Sequence, residues 1–250
     1  MQAELYRQMR ELEDRHWWFR GRRRIVSSML ATLPLPSNAK LLDLGCGTGG
    51  NLHMLSAFGT VTGVELDANA AQLARARGHA AVLRGRLPDR LPFTAASFDC
   101  VTMLDVLEHI EQDAASLVEV HRLLAPGGRL LLTVPAFEFL WGPHDEAHHH
   151  QRRYRAGPLR SLLQDAGFQV TRLSYYNSWL FPPVALVRLL RKGAPVGDAG
   201  AELALPPVWM NRALGALFAS ERHVLRHTGF PFGVSLLALA QKTRGESAGA

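Results

Sequence analysis

Leu42-Asp43-Leu44-Gly45-Cys46-Gly47-Thr48-Gly49-Gly50, residues 42–50, decides the fold. A short apolar run that begins at Lys40 meets glycines at alternate positions, and helical patterning follows. Glycine admits φ > 0 and lets backbone N–H groups approach a ligand, so a strand here hands over to a helix through a turn able to cradle one. Val61-Thr62-Gly63-Val64-Glu65 then reads as a second strand ending in an acid. Dinucleotide-binding proteins also open a βαβ unit with alternating glycines, so the turn alone leaves the nucleotide open.

Outward from this unit, Phe98 to Met103 and Arg129 to Val134 are further short apolar runs separated by helical patterns. Strands alternating with helices of roughly 10–15 residues predict a doubly wound α/β domain with a parallel sheet covered on both faces. After Pro135 come a polar, histidine-rich loop, a helix from Pro158 to Asp165 closed by Gly167, a strand from Phe168 to about Tyr175 and a last strand from Val234 to Ala240. Residues 3–30 hold helix-forming stretches broken at His16-Trp17-Trp18-Phe19, and Leu33 to Asn38 reads as a linker. The expected organisation is an N-terminal helical lid over 1–37, a core over 38–177, an amphipathic helical insertion over 178–229, the final strand within 230–243 and a tail over 244–250. No internal repeat is visible.

The chain has 250 residues, 47% of them hydrophobic, enough for one domain with a well-buried core. Cys46 and Cys100 lie in apolar or glycine-rich surroundings, which points to a reducing compartment, and no metal-type cysteine pair exists. The N-terminus alternates charge with apolar residues and lacks a signal core, so a cytoplasmic protein is expected. Within the insertion, neither Trp179 to Val187 nor Leu203 to Ala219 reaches the roughly 18 uninterrupted apolar residues of a membrane span.

The formal net charge is +6, with arginines clustered at 20, 22, 23 and 24 and at 152, 153 and 155. Nucleic acid, an anionic membrane surface, a phosphorylated substrate and a solvated basic face all satisfy that balance.

Asp43-Leu44-Gly45-Cys46-Gly47-Thr48-Gly49 with Glu65 resembles the class I S-adenosylmethionine-dependent methyltransferases, and Ser97 to Val101, Leu104 to Ile110 and Leu123 to Leu130 extend the likeness. The resemblance covers roughly residues 38–175 and the closing strand. It implies a Rossmann-like, seven-stranded, mostly parallel sheet with S-adenosylmethionine as cofactor, Glu65 accepting from the ribose hydroxyls. The cofactor-binding set it implies is Asp43, Gly45, Cys46, Gly47, Gly49, Asn51, Glu65, Leu66, Leu87, Leu104, Asp105 and Val106. Arg86 stands where the family usually has an acid for the adenine amino group, and a guanidinium only donates. Adenine is then left to the backbone near Arg86 and Leu87, or to Asp89.

The early HWWF box, with His144, Asp145, His150, Arg152, Arg153 and Tyr154, resembles a subgroup of bacterial methyltransferases carrying an HD…HxRRY-like loop. On that reading His144 and Asp145 form an oriented base, with His109 as a further catalytic candidate. Trp17, Trp18, Phe19, His150, Arg152, Arg153 and Tyr154 contact the acceptor, the arginines clamping an anionic group. A metal site on Asp145 with several of His144, His148, His149 and His150, and a purely structural lid, are the alternatives. Consecutive histidines point different ways, so no metal is expected.

The insertion mixes apolar faces with Arg188, Arg191, Lys192, Arg212, Arg222 and Arg226, a pattern suited to a membrane interface, a substrate pocket or a dimer contact. The function expected is methyl transfer to an oxygen or nitrogen of a small, hydrophobic or lipid- or sugar-linked anionic acceptor, with peripheral contact at the inner face of the membrane. RNA or protein methylation and non-catalytic cofactor binding are the competing classes; no appended RNA-binding module is present, so nucleic acid is a weak partner.

Overall fold

The strand that carries the glycine turn, β1 (Lys40–Leu44), is buried along all but its first residue, as a central strand of a sheet covered on both faces must be. The computed structural model describes residues 3–190 and 205–243, apart from the side chains of residues 3–5, 8 and 144. Arg191, Lys192, the start of the Leu203–Ala219 segment and the tail 244–250 lie outside the described residues. Two N-terminal helices, α1 (Ala3–Arg15) and α2 (Trp17–Leu30), precede β1. Then follow α3 (Leu52–Leu55), β2 (Thr60–Glu65), α4 (Ala68–Arg75), β3 (Ala81–Arg84), β4 (Phe98–Leu104), α5 (Asp113–Leu123) and β5 (Leu124–Pro135). The chain continues through α6 (Pro143–Ala147), α7 (Ala156–Asp165), β6 (Phe168–Tyr176), α8 (Phe181–Leu190), α9 (Val208–Leu225) and β7 (Ser235–Lys242).

The seven strands form one sheet in the order β3-β2-β1-β4-β5-β7-β6. β1 to β5 run parallel, and β7 is antiparallel to both β5 and β6. The expected mostly parallel, doubly wound α/β fold is therefore present. β5 starts five residues before the expected Arg129, because Leu124 pairs with Phe98 and the Pro126-Gly127-Gly128 stretch is absorbed as an irregularity of the ladder. β7 likewise extends to Lys242, whose ammonium donates to the carbonyls of His121 and Leu124.

One face of the sheet is covered by α5 and α7 through Leu117, Val120, Leu123, Leu159 and Leu163. The other is covered by α2, α3, α4 and α9 through Ile25, Met29, Leu52, Ala74, Phe218 and Leu225. Each fully buried leucine contributes roughly 1.5–3 kcal/mol relative to exposure. α2 and α9 pack closely at Gly21, where an added Cβ would lie 2.5 Å from Phe218 Cδ1.

The break between α1 and α2 has a local cause. His16 has extended backbone dihedrals, and its Nδ1 accepts from Trp18 N at 3.3 Å, capping α2. Burial lowers its pKa, which keeps the imidazole neutral and able to accept.

Glu221 of α9 has no exposed surface and takes the backbone amides of Asn177, Ser178 and Trp179 at 2.6, 2.6 and 2.9 Å. The insertion is thereby tied to the end of β6.

Candidate active site

The turn after β1 needs glycine at two positions for different reasons. Gly45 (φ +66°) is crowded, since a Cβ there would lie 2.6 Å from Val106 Cγ2. Gly47 (φ +56°) faces open space, the nearest atom to an added Cβ being Glu13 Oε1 at 3.9 Å. The first position therefore packs the β1 turn on the β4 turn, and the second leaves room for a ligand.

Glu65 at the end of β2 is half-buried and accepts from Gly47 N and Asp67 N, both at 2.9 Å. A carboxylate offers about four lone-pair directions, so two remain for ribose hydroxyls. Asp67 in turn caps α4 by accepting from Asn69 N and Ala70 N.

Asp43 is buried at 1% exposure and takes the Thr102 hydroxyl on one oxygen at 2.6 Å; its other oxygen has no partner among the described residues. Burial pushes its pKa up to about 7, with the Thr102 hydrogen bond and Arg22 acting the other way. Cys46 is buried with its sulfur against Gly63 of β2 rather than toward the turn's open side. Asn51 is nearly buried and precedes α3, Leu104 is buried, Leu87 is half-buried and Leu66 is exposed. Arg86 and Asp89 are both exposed, so neither has a fixed role at the end of β3.

α1 supplies a wall that the sequence reading missed. The Glu13 carboxylate accepts from the Thr48 hydroxyl in the glycine turn and lies against Gly50, and burial raises its pKa. Arg77 fastens this contact, donating to Thr48 O at 2.8 Å and to the carboxylates of Asp14 and Glu13. Tyr6 lies near Asp67 and Glu65; burial and those acids push its phenol up to about 12. An acid one turn from the end of a charged helix is indistinguishable in sequence from a solvated one.

The aromatic box divides. Trp17 receives its fixed position from Asn211, which accepts its backbone N–H at 2.8 Å, and from Phe218, 5.9 Å away edge to face. Phe19 is buried, its ring edge-on to those of His16 and Trp18. Trp18 holds the Arg22 guanidinium 4.5 Å above its ring, and Arg22 in turn pairs with Asp105. The arginine cluster divides too: Arg22 turns into the site, whereas Arg20, Arg23 and Arg24 line an open basic groove with Arg222 and Arg226 of α9.

At the carboxyl end of β4, Asp105 (φ +59°) also accepts from the Thr133 hydroxyl at 3.2 Å. His109 follows, its ring centroid 4.6 Å from that of His150. His109 keeps an exposed face, but partial desolvation of its ring, with His150 and His148 nearby, lowers its pKa to about 4. Glu108 beside it has no exposed surface, and neither carboxylate oxygen finds a hydrogen-bond partner among the described residues. Burial and the charge of Asp105 raise its pKa well above the usual range. One donor atom each from Glu108, His109 and His150 lies within 4.8 Å of the others.

The histidine loop differs from its expected use. Asp145 is fully buried and bonds to His150 Nδ1, to Arg153 through both oxygens at 2.8 Å, and to Gly142 N at 2.9 Å. Burial alone would raise its pKa, but the bonds from His150 and Arg153 hold the carboxyl well below its usual range. The side chain of His144 lies outside the described residues. Arg153 is 5% exposed and committed to Asp145 and Ala136 O, which leaves it no free fork for an anionic acceptor. Arg152 pairs with Asp113 at 2.7 Å and donates to Glu111 O at 2.8 Å. The Tyr154 hydroxyl is turned inward to Asp113 at 3.0 Å. Of the expected acceptor loop, the structure thus brings His150 to His109 and turns Asp145, Arg153 and Tyr154 inward as supports.

The profile of the family described as "Methyltransferase domain" matches residues 15–173. A probable S-adenosylmethionine-dependent methyltransferase of Mycolicibacterium smegmatis is 31% identical over 64% of this chain and 62% of its own length. A demethylmenaquinone methyltransferase of Tropheryma whipplei is 32% identical over 72% of this chain and 82% of its own. Among solved structures, a chain from the complex of the Haloferax volcanii Trm112 methyltransferase activator with a methyltransferase superposes with a TM-score of 0.63, at 23% identity and 96% coverage of both chains. Matches to several curated relatives span only 52–62% of the relatives' length.

Proposed function

We propose, for a chain that belongs to the methyltransferase-domain family and uses S-adenosylmethionine, that it methylates a hydroxyl oxygen on a small, hydrophobic, ring-type acceptor. The residues fit the cofactor: Gly47 leaves space above the turn, Glu65 keeps unused lone pairs, and the Asp105–Val106 turn faces Gly45. Bound there, the cofactor supplies a methyl group on positively charged sulfur. The protein's share of the work is orientation, exclusion of water and removal of the acceptor proton.

The observation that carries the reading is the pairing of the His109 and His150 rings, 4.6 Å apart between centroids, beside the β4 turn. They are positioned to orient a hydroxyl and take its proton, with Asp145 acting through His150 as a positioning residue. N-methylation of an unprotonated amine needs no base and so makes no use of that pair. For acceptor class, support comes from the quinone-type name of the T. whipplei relative and from exposed apolar residues on α8 and α9: Leu186, Leu190, Val208 and Trp209. The described residues contain no helix long and apolar enough to cross a membrane.

The test is release of S-adenosylhomocysteine with dihydroxybenzenes bearing or lacking a short prenyl chain. Turnover that rises with the chain supports the reading. Turnover only with amines, or only with RNA or protein, overturns it. Gly47→Val should abolish cofactor binding by filling the open space, as calorimetry would show.

A further inference from the structure

We propose that Glu108, His109 and His150 form a binding site for one divalent transition-metal ion, Zn2+ by ligand type, at the carboxyl end of β4. The inference deepens the reading of the acceptor site and rests on it only for what the ion would do there. The binding itself is argued separately.

The first observation is Glu108. A carboxylate with no surface exposure and no partner on either oxygen is among the costliest groups a fold can keep. A cation is the partner that would satisfy both its charge and its lone pairs.

The second observation is the company it keeps. One carboxylate oxygen and two imidazole nitrogens converge within 4.8 Å of one another, a spread that side-chain rotation can close to the ~2.0–2.2 Å bonds of a His2Glu zinc site. Such a set leaves a coordination position open, as catalytic rather than structural sites do.

The third observation is independent of the first two. His150 bonds Asp145 through Nδ1 at 2.8 Å, which turns Nε2 away from the carboxylate, and Asp145 is itself locked by Arg153 and by Gly142 N. A carboxylate holding the far nitrogen of an imidazole is the arrangement that orients metal-ligating histidines. His109 likewise has its ring bonded to the backbone of His148.

The ligand set differs from the one suggested by the histidine run. Asp145 is not a ligand here but the support of one, and two of the ligands, Glu108 and His109, come from the β4 turn. In the acceptor site an open metal position would bind the acceptor hydroxyl and favour its deprotonated form, the proton passing to solvent, so that with the ion bound the two ligated imidazoles would orient the acceptor through the metal instead of taking the proton themselves.

The test uses the full chain without a histidine tag, stripped with a chelator and confirmed folded by circular dichroism. Zn2+ and Co2+ are titrated by calorimetry and by visible d–d absorption, with bound metal counted by mass spectrometry. A single equivalent with a Co2+ spectrum of low coordination number is expected. Glu108→Gln and His109→Ala should each weaken binding by more than the roughly 10–100-fold expected for Asp145→Asn, which removes only an outer partner. His149→Ala, in the same histidine run, should retain wild-type affinity. No stoichiometric binding by the folded protein overturns the proposal. So does unchanged affinity in Glu108→Gln together with loss in His149→Ala, which would place the ion on the exposed run. Metal binding as expected, with turnover unchanged both by the ion and by His109→Ala, would instead count against the acceptor reading alone.

Discussion

Asp145 and Glu108 are carboxylates in neighbouring loops of one site, both without exposed surface, and their surroundings are opposite. Asp145 takes an imidazole, a two-pronged guanidinium and a backbone amide, so it binds a proton far more weakly than a carboxyl in water does. Glu108 takes nothing on either oxygen, and burial pushes its pKa the other way. Asp43 stands between them, with one oxygen bonded to Thr102 and one bare. Burial alone does not set the state of an acid; the count of bonds to its charged form does. The satisfied carboxylate is a part of the scaffold, and the unsatisfied one is where a ligand is wanted.

The largest expected effect breaks the satisfied end of this series. Asp145→Ala leaves Arg153 and His150 buried without their partner and should cost about 3–5 kcal/mol in denaturant unfolding. A loss under about 1 kcal/mol would mean that Arg153 finds other partners and that the loop does not depend on the pair.

The middle case has a pH signature. Asp43 has a folded pKa of about 7 against an ordinary value near 3.8, so the folded state binds the extra proton between those limits. Stability of the cofactor-free protein should therefore fall as pH rises from about 4 to 7 and level off above. Asp43→Asn should remove that slope and stabilise the protein by up to about 4 kcal/mol at pH 8, with no difference at pH 3.5. Parallel unfolding curves of the two proteins across that range would sink the assignment.

Glu65 has both oxygens engaged and lone pairs left over, so its loss should appear in binding more than in stability. Glu65→Gln is expected to weaken S-adenosylmethionine binding by roughly 1.5–3 kcal/mol in calorimetry. The smallest effect belongs to the unsatisfied end. Glu108→Gln should leave metal-free stability within about 1 kcal/mol of wild type or raise it, because no bond is lost and a buried ionisable group is removed. A drop as large as that of Asp145→Ala would make Glu108 a structural group and end the contrast.

What could be read from the sequence follows the range of the interactions. The β1 turn, Glu65 and the strands on either side are specified by residues within a few positions of each other, so glycine spacing and apolar runs reveal them. Neighbouring His144 and Asp145 suggested a pair by the same local logic. The loop instead carries Asp145 to His150 and Arg153, five and eight residues on, because its backbone reverses through His149 at φ +55°. Glu13 on the glycine turn, Glu221 on the end of β6 and Phe218 against Gly21 join segments 35 to nearly 200 residues apart. Charge and apolar content at those positions look like an ordinary amphipathic helix until the sheet brings their partners to them. Glu108 was hidden differently: an acid between Leu107 and His109 has no periodic mark of burial.

The position of β7 bears on how the chain is made. Among the described residues β6 touches the sheet only through β7, which follows every other described strand in the sequence and lies between β6 and β5. While a ribosome is still holding residues 235–242, the first five strands can close in order, but β6 has no neighbour, and its edge is open to solvent and to other nascent chains. Completion of this seven-stranded sheet thus waits on residues 235–242 to emerge. A chain stalled shortly before Ser235 should be a client for chaperones in a way that one stalled after Lys242 is not.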